Sequence, residues 1–289
     1  MPEPVEAEVM NVDVVALGSG SPLPDPERAG PALAVVAEAG WVLVDCGRAA
    51  TQRAIDAGLD LTTVVAVALT HHHSDHVSDL ATLATARWVA GATTSLVVVA
   101  PEGPSARFAR RCLDPYDDQS FHGQSDPAAG PRPAMDVQAF DPGHEPAPVL
   151  TAGDWRLSSV LVDHHPVAPA VGYLVEHEDE HARARVAVSG DTAVCDGVRA
   201  LGRDVDVLVH QALLTSRVSP ELLEWNAGAV AVGGLAAELQ PGILVLTHLI
   251  PAPRSVDHQQ KYLDEVRAGG FEGSTLVAHD GLRVTVAKY

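Results

Sequence analysis

The residues able to do chemistry concentrate in one heptapeptide, Thr70-His71-His72-His73-Ser74-Asp75-His76. Imidazole nitrogen and carboxylate oxygen are preferred ligands of Zn²⁺ and related divalent ions. Three imidazoles, a carboxylate and a fourth imidazole within six residues supply enough donors for two sets of metal ligands. A purification-tag tract would lie at a terminus and lack the internal aspartate. This tract instead lies between Val64–Leu69, an unbroken apolar run of strand length, and Val77–Ala90, whose apolar residues recur at close to helical spacing. A loop between a buried strand and a helix aims its side chains at one point beyond the sheet edge. Other chemistries lack support. No Gly-x-Ser-x-Gly elbow occurs, and Gly18-Ser19-Gly20-Ser21-Pro22 has Leu23 where the dinucleotide fingerprint needs its last glycine. That loop is expected to be a structural turn. The cysteines, Cys46, Cys112 and Cys195, form no zinc-knuckle spacing, and Cys46 and Cys195 are expected to be small buried residues.

The elements that must position the heptapeptide alternate between strands and helices. Asn11–Leu17 alternates, and Ala32–Ala37 and Trp41–Asp45 predict a hairpin across Ala39-Gly40. Further strands are expected at Leu96–Ala100, Trp155–Val162, Val171–Glu176, Val186–Ser189, Val205–Val209, Ile243–Leu246, Ser274–Val277 and Arg283–Val286. Helices are expected at Ala49–Ala57, Pro104–Leu113, Cys195–Leu201, Ala227–Leu239 and Val256–Arg267. The pattern predicts α/β layers with mixed sheets in a single intertwined domain over 1–289, its last strands pairing with early ones. Asp114–Pro148 breaks the rhythm, with prolines at 115, 127, 131, 133, 142, 146 and 148. It reads as an irregular Pro/Gly-rich insert, lid-like, with one strand near Val137–Phe140.

Composition narrows the partners. The chain has 289 residues, with Lys+Arg 19 against Asp+Glu 38 and a formal net charge of −19. Phosphate backbones are bound through Lys and Arg, so this balance disfavours nucleic acid and anionic membrane. The longest apolar runs are far short of a membrane span, and Met1–Met10 is acidic without a basic-then-apolar signal pattern. Three scattered cysteines build no disulfide framework. A cytoplasmic location is the expectation.

His71-x-His73-x-Asp75-His76 resembles the signature of the metallo-β-lactamase-fold hydrolases, and the rest of the chain agrees in order. Asp163-His164-His165-Pro166 resembles the segment supplying the next metal histidine, His164. Ser189-Gly190-Asp191-Thr192 resembles the turn whose aspartate bridges two metals, and Leu246-Thr247-His248 resembles the last ligand. Leu17–Pro22 and Asp45-Cys46-Gly47 match as well. Taken singly, each has a plain alternative: a satisfied histidine, or an aspartate serving a turn. Together they place the chain closest to the ribonuclease Z and arylsulfatase-like branch.

The resemblance implies a four-layer αββα sandwich carrying a binuclear site. One ion would take His71, His73 and His164, the other Asp75, His76 and His248, with Asp191 between them. His72 and His165 would point elsewhere. The ions would be Zn²⁺, with Mn or Fe as alternatives, and would share a hydroxide that attacks a phosphodiester, sulfate ester, carboxylic ester or lactone in a small to medium substrate. Asp75 and Asp191 would be the catalytic carboxylates. A homodimer is also common in the branch.

Two departures bear on substrate. Where ribonuclease Z has His-Glu-Ala, this chain has His210-Gln211-Ala212. Where it has a histidine in His-Ser-Thr or His-Ser-Ser, this chain has Trp225-Asn226-Ala227-Gly228. In the family these two positions act together as acid and orienting base. Neither amide can shuttle a proton near neutral pH. His210, Gln211, Asn226 and His165 are therefore the candidate substrate-side or supporting residues. The one stretch long enough to be a tRNA-gripping arm, Asp114–Pro148, has Arg132 against Asp114, Asp117, Asp118, Asp126, Asp136, Asp141 and Glu145, the wrong sign for tRNA. Two alternatives stay open: a tRNA 3′-processing endoribonuclease, and a metal-binding sensor or scaffold with altered chemistry.

Overall fold

In a computed structural model, residues 10–116, 132–180 and 182–288 are described. The chain first lays down β1 (Met10–Gly18), β2 (Ala32–Ala37), β3 (Gly40–Val44), α1 (Ala50–Asp56), β4 (Val64–Ala68), α2 (Ser74–Val77), α3 (Leu80–Val89), β5 (Leu96–Pro101), α4 (Pro104–Arg111) and β6 (Met135–Phe140). It continues with β7 (Ala147–Ala152), β8 (Trp155–Leu161), β9 (Val171–Glu178), β10 (Arg183–Val188), α5 (Asp196–Leu201), β11 (Val207–Leu213), α6 (Pro220–Leu223), α7 (Ala229–Leu239), β12 (Ile243–Ile250), α8 (Val256–Ala268), β13 (Thr275–Val277) and β14 (Leu282–Lys288).

These strands form two seven-stranded sheets, ordered β14-β1-β2-β3-β4-β5-β6 and β13-β12-β11-β10-β9-β8-β7. Each is mixed. In the first sheet the pairs from β14 to β3 are antiparallel and those from β3 to β6 parallel. In the second, β7 to β10 pair antiparallel and β10 to β13 parallel. The last strand returns to the first, with Met10 opposite Lys288 and Ala16 opposite Leu282.

Strand alternation sorts the apolar side chains into three cores. Val12, Val14 and Ala16 of β1, Val42 and Val44 of β3, and Val171, Tyr173 and Val175 of β9 face the space between the sheets. Val15, Leu17, Trp41 and Leu43 turn outward under α1, α3 and α4. Leu174, Ala187, Leu208 and Ala212 turn outward under α5, α7 and α8. Both sheets are thus covered on both faces, which is why their strands read as near-continuous apolar runs. The result is the expected αββα sandwich.

Three local expectations change. The helix expected at Val77–Ala90 is two helices, α2 and α3, divided at Ser78-Asp79. The Asp79 carboxylate accepts from the Thr51 N–H at 2.7 Å, and its own N–H donates to the Cys46 carbonyl, so this corner is pinned to the β3–α1 loop. Asp114–Pro148 is less irregular than its prolines imply. β6 is the strand expected near Val137–Phe140 and forms an edge of the first sheet; β7, not expected, begins at Ala147 and forms an edge of the second. Edge strands tolerate proline because one side of the ladder needs no donor. Residues 117–131 of that stretch lie outside the described residues. Cys46 is buried, but Cys195 is only half-buried, at the start of α5.

Candidate metal centre

The metal-ligand candidates lie where strands end. β4 runs into the heptapeptide, β10 into Ser189–Thr192, and β12 carries His248 near its end. Carboxyl ends of parallel strands next to a change of strand direction are the usual place for a site in such sheets. Here β10 is antiparallel to β9 and parallel to β11, so the change falls at Asp191.

The side chains converge in two groups whose candidate ligand atoms lie within 4.8 Å of one another: His71, His73, His164 and Asp191, and Asp75, His76 and His248. The Asp191 Oδ2 touches both. It is 3.9 Å from His164 Nε2, 3.5 Å from His76 Nε2 and 3.2 Å from His248 Nε2. Asp75 Oδ2 is 3.4 Å from His248 Nε2 and 3.7 Å from His76 Nε2. All seven residues are buried except His73, which is half-buried. His71 Nε2, His76 Nε2, Asp75 Oδ2 and His248 Nε2 are inaccessible to solvent and have no hydrogen-bond partner. Buried polar atoms left unpaired are costly. Four turned toward one point fit a bound cation.

Neighbours set the histidine tautomers. Asp45 Oδ2 lies 2.7 Å from His76 Nδ1, and Asp45 Oδ1 accepts from the Thr70 N–H at 2.8 Å. The Thr70 hydroxyl donates to the same carboxylate, so it accepts from His71 Nδ1 at 3.0 Å. Both histidines then carry their proton on Nδ1 and turn a bare Nε2 inward, as ligands require. His164 Nδ1 lies 3.3 Å from the Trp225 carbonyl and leaves Nε2 facing the cluster. Asp45 and His248 both have left-handed backbones, with φ of 60° and 49°. For non-glycine residues this is a cost of about 1–3 kcal/mol, retained where a site needs the side chain aimed.

The surrounding backbone leaves no slack. A Cβ on Gly47 would sit 2.1 Å from the Asp75 carbonyl oxygen, so only glycine lets the β3–α1 loop pass behind α2. The Cys46 N–H donates to the His76 carbonyl at 2.7 Å. Thr192 binds the Asp191 turn to the His164 segment: its hydroxyl accepts from the Asp163 N–H at 3.0 Å, and the Ala193 N–H donates to the Asp163 carbonyl. The Tyr173 hydroxyl donates to the Leu69 carbonyl at 2.8 Å, joining the two sheets directly beneath the heptapeptide.

Without a cation the cluster is electrostatically divided. Burial opposes the His76 imidazolium, but the Asp191 and Asp45 carboxylates raise it well above the usual histidine range. Burial likewise opposes the Asp191 carboxylate, yet His248 and His76 hold it well below the usual carboxylate range. His71 is pushed well below the histidine range by burial and by repulsion from His76. His71 already offers a deprotonated Nε2, and a divalent ion among these carboxylates would displace the His76 proton to complete the donor set.

The supporting residues divide differently from expectation. Gln211 and Asn226 meet: the Gln211 amide donates to the Asn226 side-chain oxygen at 3.1 Å and to the Thr192 carbonyl at 2.8 Å. The Asn226 amide donates to the Leu222 carbonyl at 3.1 Å. His210 is not on the site side. Alternation along β11 turns Val209 and Gln211 toward the cavity between the sheets and His210 toward the helix side. His210 is fully buried, bonded through Nδ1 to the Gln211 carbonyl at 2.7 Å, and burial pushes its pKa down to about 4. His165 is exposed and, like His72, belongs to neither ligand group. The Gly18–Pro22 loop is a structural turn, with the Ser19 N–H and hydroxyl both donating to Asp280. Sequence reasoning left Asp45 and Thr70 without a role. Their signal was a carboxylate ending one buried strand and a hydroxyl ending the next.

The fold and this cluster define a metallohydrolase, and the comparisons agree. The beta-lactamase superfamily domain matches residues 40–249, and the chain belongs to that superfamily, in its ribonuclease Z branch. A ribonuclease Z from Mycolicibacterium paratuberculosis is 32% identical over 285 residues, covering 95% of this chain and 98% of that protein. A ribonuclease Z from Mycobacterium bovis is 30% identical over 286 residues, with the same coverage. Among solved structures, the metallo-beta-lactamase fold protein YhfI from Bacillus subtilis superposes with a TM-score of 0.73 at 19% identity, covering 96% of this chain and 100% of that one. Human tRNase Z, short form, gives a TM-score of 0.70 at 20% identity, covering 94% and 98%. At these identities the two structures speak to the fold alone.

Proposed function

We propose that the chain is a hydrolase that uses two divalent ions, Zn²⁺ foremost, to cleave a phosphodiester or related ester bond in a small to medium substrate. The observation that carries this reading is the Asp191 carboxylate, within 3.9 Å of a histidine from each ligand group. In this reading His71, His73 and His164 hold one ion, Asp75, His76 and His248 the other, and Asp191 serves both. The ions, when bound, supply Lewis acidity toward substrate oxygens and a water activated near neutral pH. The protein's own part is orientation. Asp45 and Thr70 keep His76 and His71 in the ligand tautomer, Trp225 does the same for His164, and Thr192 keeps Asp191 in register with His164. The chain acts as one hydrolase domain.

The test is metal content by mass spectrometry together with turnover of chromogenic phosphodiester, sulfate ester, carboxylic ester and lactone substrates in Zn²⁺ or Mn²⁺. Two equivalents of metal with no turnover on any of them refutes the proposal. A second reading, maturation of precursor tRNA, is favoured by relatives named ribonuclease Z that align over nearly the whole chain. The net charge of −19 and the neutral Gln211–Asn226 pair favour a smaller substrate. Cleavage of precursor tRNA at rates above those on small diesters would reverse that order.

A further inference from the structure

This inference rests on the hydrolase reading and concerns the part of the substrate that does not react. β4 and β5 run parallel, with Ala68 opposite Val99, so the heptapeptide and the Gly103 turn leave the sheet side by side at the same edge. Gly103 begins α4 with a φ of 121°. A Cβ built on it would lie 3.5 Å from the Pro169 ring, so the first turn of α4 packs against the loop that carries His164. Arg107 follows one turn later, its N–H donating to the Gly103 carbonyl at 2.9 Å. Residues four apart share a helix face, and long helical side chains lean back toward the N-terminus. The Arg107 side chain is thereby directed along the face that meets the His164 loop, toward the heptapeptide.

The electrostatics agree with that placement. Burial, then the positive charge of Arg107, then that of His164 lower the His72 ring below the usual histidine range. The His72 and His73 ring centroids are 5.9 Å apart. Arg107 thus stands beside His72, on the flank of the group formed by His71, His73 and His164. His72 Nδ1 is inaccessible to solvent and has no hydrogen-bond partner, so a ligand can meet that ring only at Nε2. His165 is exposed on the facing loop.

The charge of Arg107 is uncompensated. Arg110 of the same helix holds both Glu102 carboxylate oxygens at 3.1 Å, and Arg111 reaches Asp114 at 3.3 Å. Arg107 is exposed and has neither a hydrogen bond nor an ion pair among the described residues. With 38 acids against 19 bases in the chain, no general excess of positive charge accounts for it. A guanidinium is always ionised, and its planar fork matches two oxygens of a phosphate, sulfate or carboxylate.

We propose that Arg107, with His72 beside it, forms a subsite for a second anionic group. The preferred substrate is then a small ester that carries a phosphate, sulfate or carboxylate besides the bond to be cleaved. Arg107 is the specificity-determining residue: it holds the non-reacting end and takes no part in the bond exchange.

The experiment compares 4-nitrophenyl alkyl phosphodiesters whose alkyl chain ends in methyl, phosphate or trimethylammonium, using the metal-loaded protein and reading kcat and KM separately. The phosphate-ended ester is expected to have a KM at least about tenfold below that of the methyl-ended one, the scale of hydrogen bonds to a charged group. Arg107→Ala is expected to bring the two KM values together, and Arg107→Glu to favour the trimethylammonium ester. Metal content by mass spectrometry, expected to be the same in both variants as in the parent, separates this effect from loss of the centre. Binding is also read without turnover: propane-1,3-bisphosphonate is expected to shift the Arg107 Nε–Hε resonance, and propylphosphonate is not. Equal KM values for the methyl- and phosphate-ended esters in the parent, or a preference that survives Arg107→Ala, overturns this inference and leaves the hydrolase reading standing. No turnover of any of these esters, with two equivalents of metal bound, overturns both.

Discussion

Replacing Asp45 by Asn removes one charge and one acceptor from a carboxylate that serves two buried partners. Oδ1 accepts from the Thr70 N–H at 2.8 Å, and Oδ2 sits 2.7 Å from His76 Nδ1. Asparagine has a single oxygen. With that oxygen toward Thr70, its NH₂ faces His76 Nδ1 and can be accommodated only if the ring moves its proton to Nε2. That is the atom proposed to hold the cation. With the amide flipped, NH₂ faces the Thr70 N–H, and two donors meet. Either orientation costs, about 1–3 kcal/mol for an unsatisfied buried donor, or the loss of a ligand tautomer. Supporting residues of this kind are worth roughly 10–100-fold in metal affinity, equivalent to about 1.4–2.7 kcal/mol. The assay is competition for Zn²⁺ against a chelator of known affinity, read separately for each equivalent. The Asp75/His76/His248 site is expected to weaken and the His71/His73/His164 site to change less, because Thr70 still reaches His71. Unchanged affinity at both sites, with the variant folded, would refute the claim that Asp45 sets the His76 tautomer.

Three further outcomes are expected from the same geometry. Asp191→Asn is expected to lose one or both metal equivalents and the activity together, and full activity with two equivalents bound would exclude Asp191 as the shared carboxylate. Removing metal should lower thermal stability, since a ligand at 100 times its Kd contributes about 2.7 kcal/mol; an unchanged melting temperature in chelator would contradict a folded-state metal site. His210 gives a signed pH dependence. Its folded pKa of about 4 lies below the ordinary 6.5, so the unfolded chain binds the extra proton, and stability falls as pH drops from about 6.5 toward 4, by roughly 3 kcal/mol in all. Denaturant titrations of metal-free protein at pH 7 and pH 5 should show His210→Gln losing less stability than the parent; equal losses would place the His210 ring in water.

The residues explain how far the reading could run before the fold was known. His71, His73, Asp75 and His76 were legible because they are contiguous, and one strand–loop–helix unit suffices to bring them together. His164, Asp191 and His248 were legible through short motifs at strand ends. The facing of a strand residue was not. His210 and Gln211 are adjacent and both polar, and only the register of β11 between β10 and β12 decides which one meets the cavity. The strand near Val137–Phe140 was legible as β6, but the proline-rich stretch hid β7 because edge strands lack the compositional mark of central ones. Asp45 looked like a strand terminator, since its partners His76 and Thr70 are 31 and 25 residues away.

What the amino-acid sequence determined alone is the donor chemistry: which atoms can bind a cation, the sign of the surface charge, and the neutral amides at Gln211 and Asn226. These are properties of side chains and need no partner to exist. The tertiary structure decided which donors converge, which nitrogen of His71, His76 and His164 faces the cluster, and that Gln211 and Asn226 touch. Those are relations between segments up to 177 residues apart, from His71 to His248. They arise only when two sheets stack and bring the ends of β4, β10 and β12 to one point.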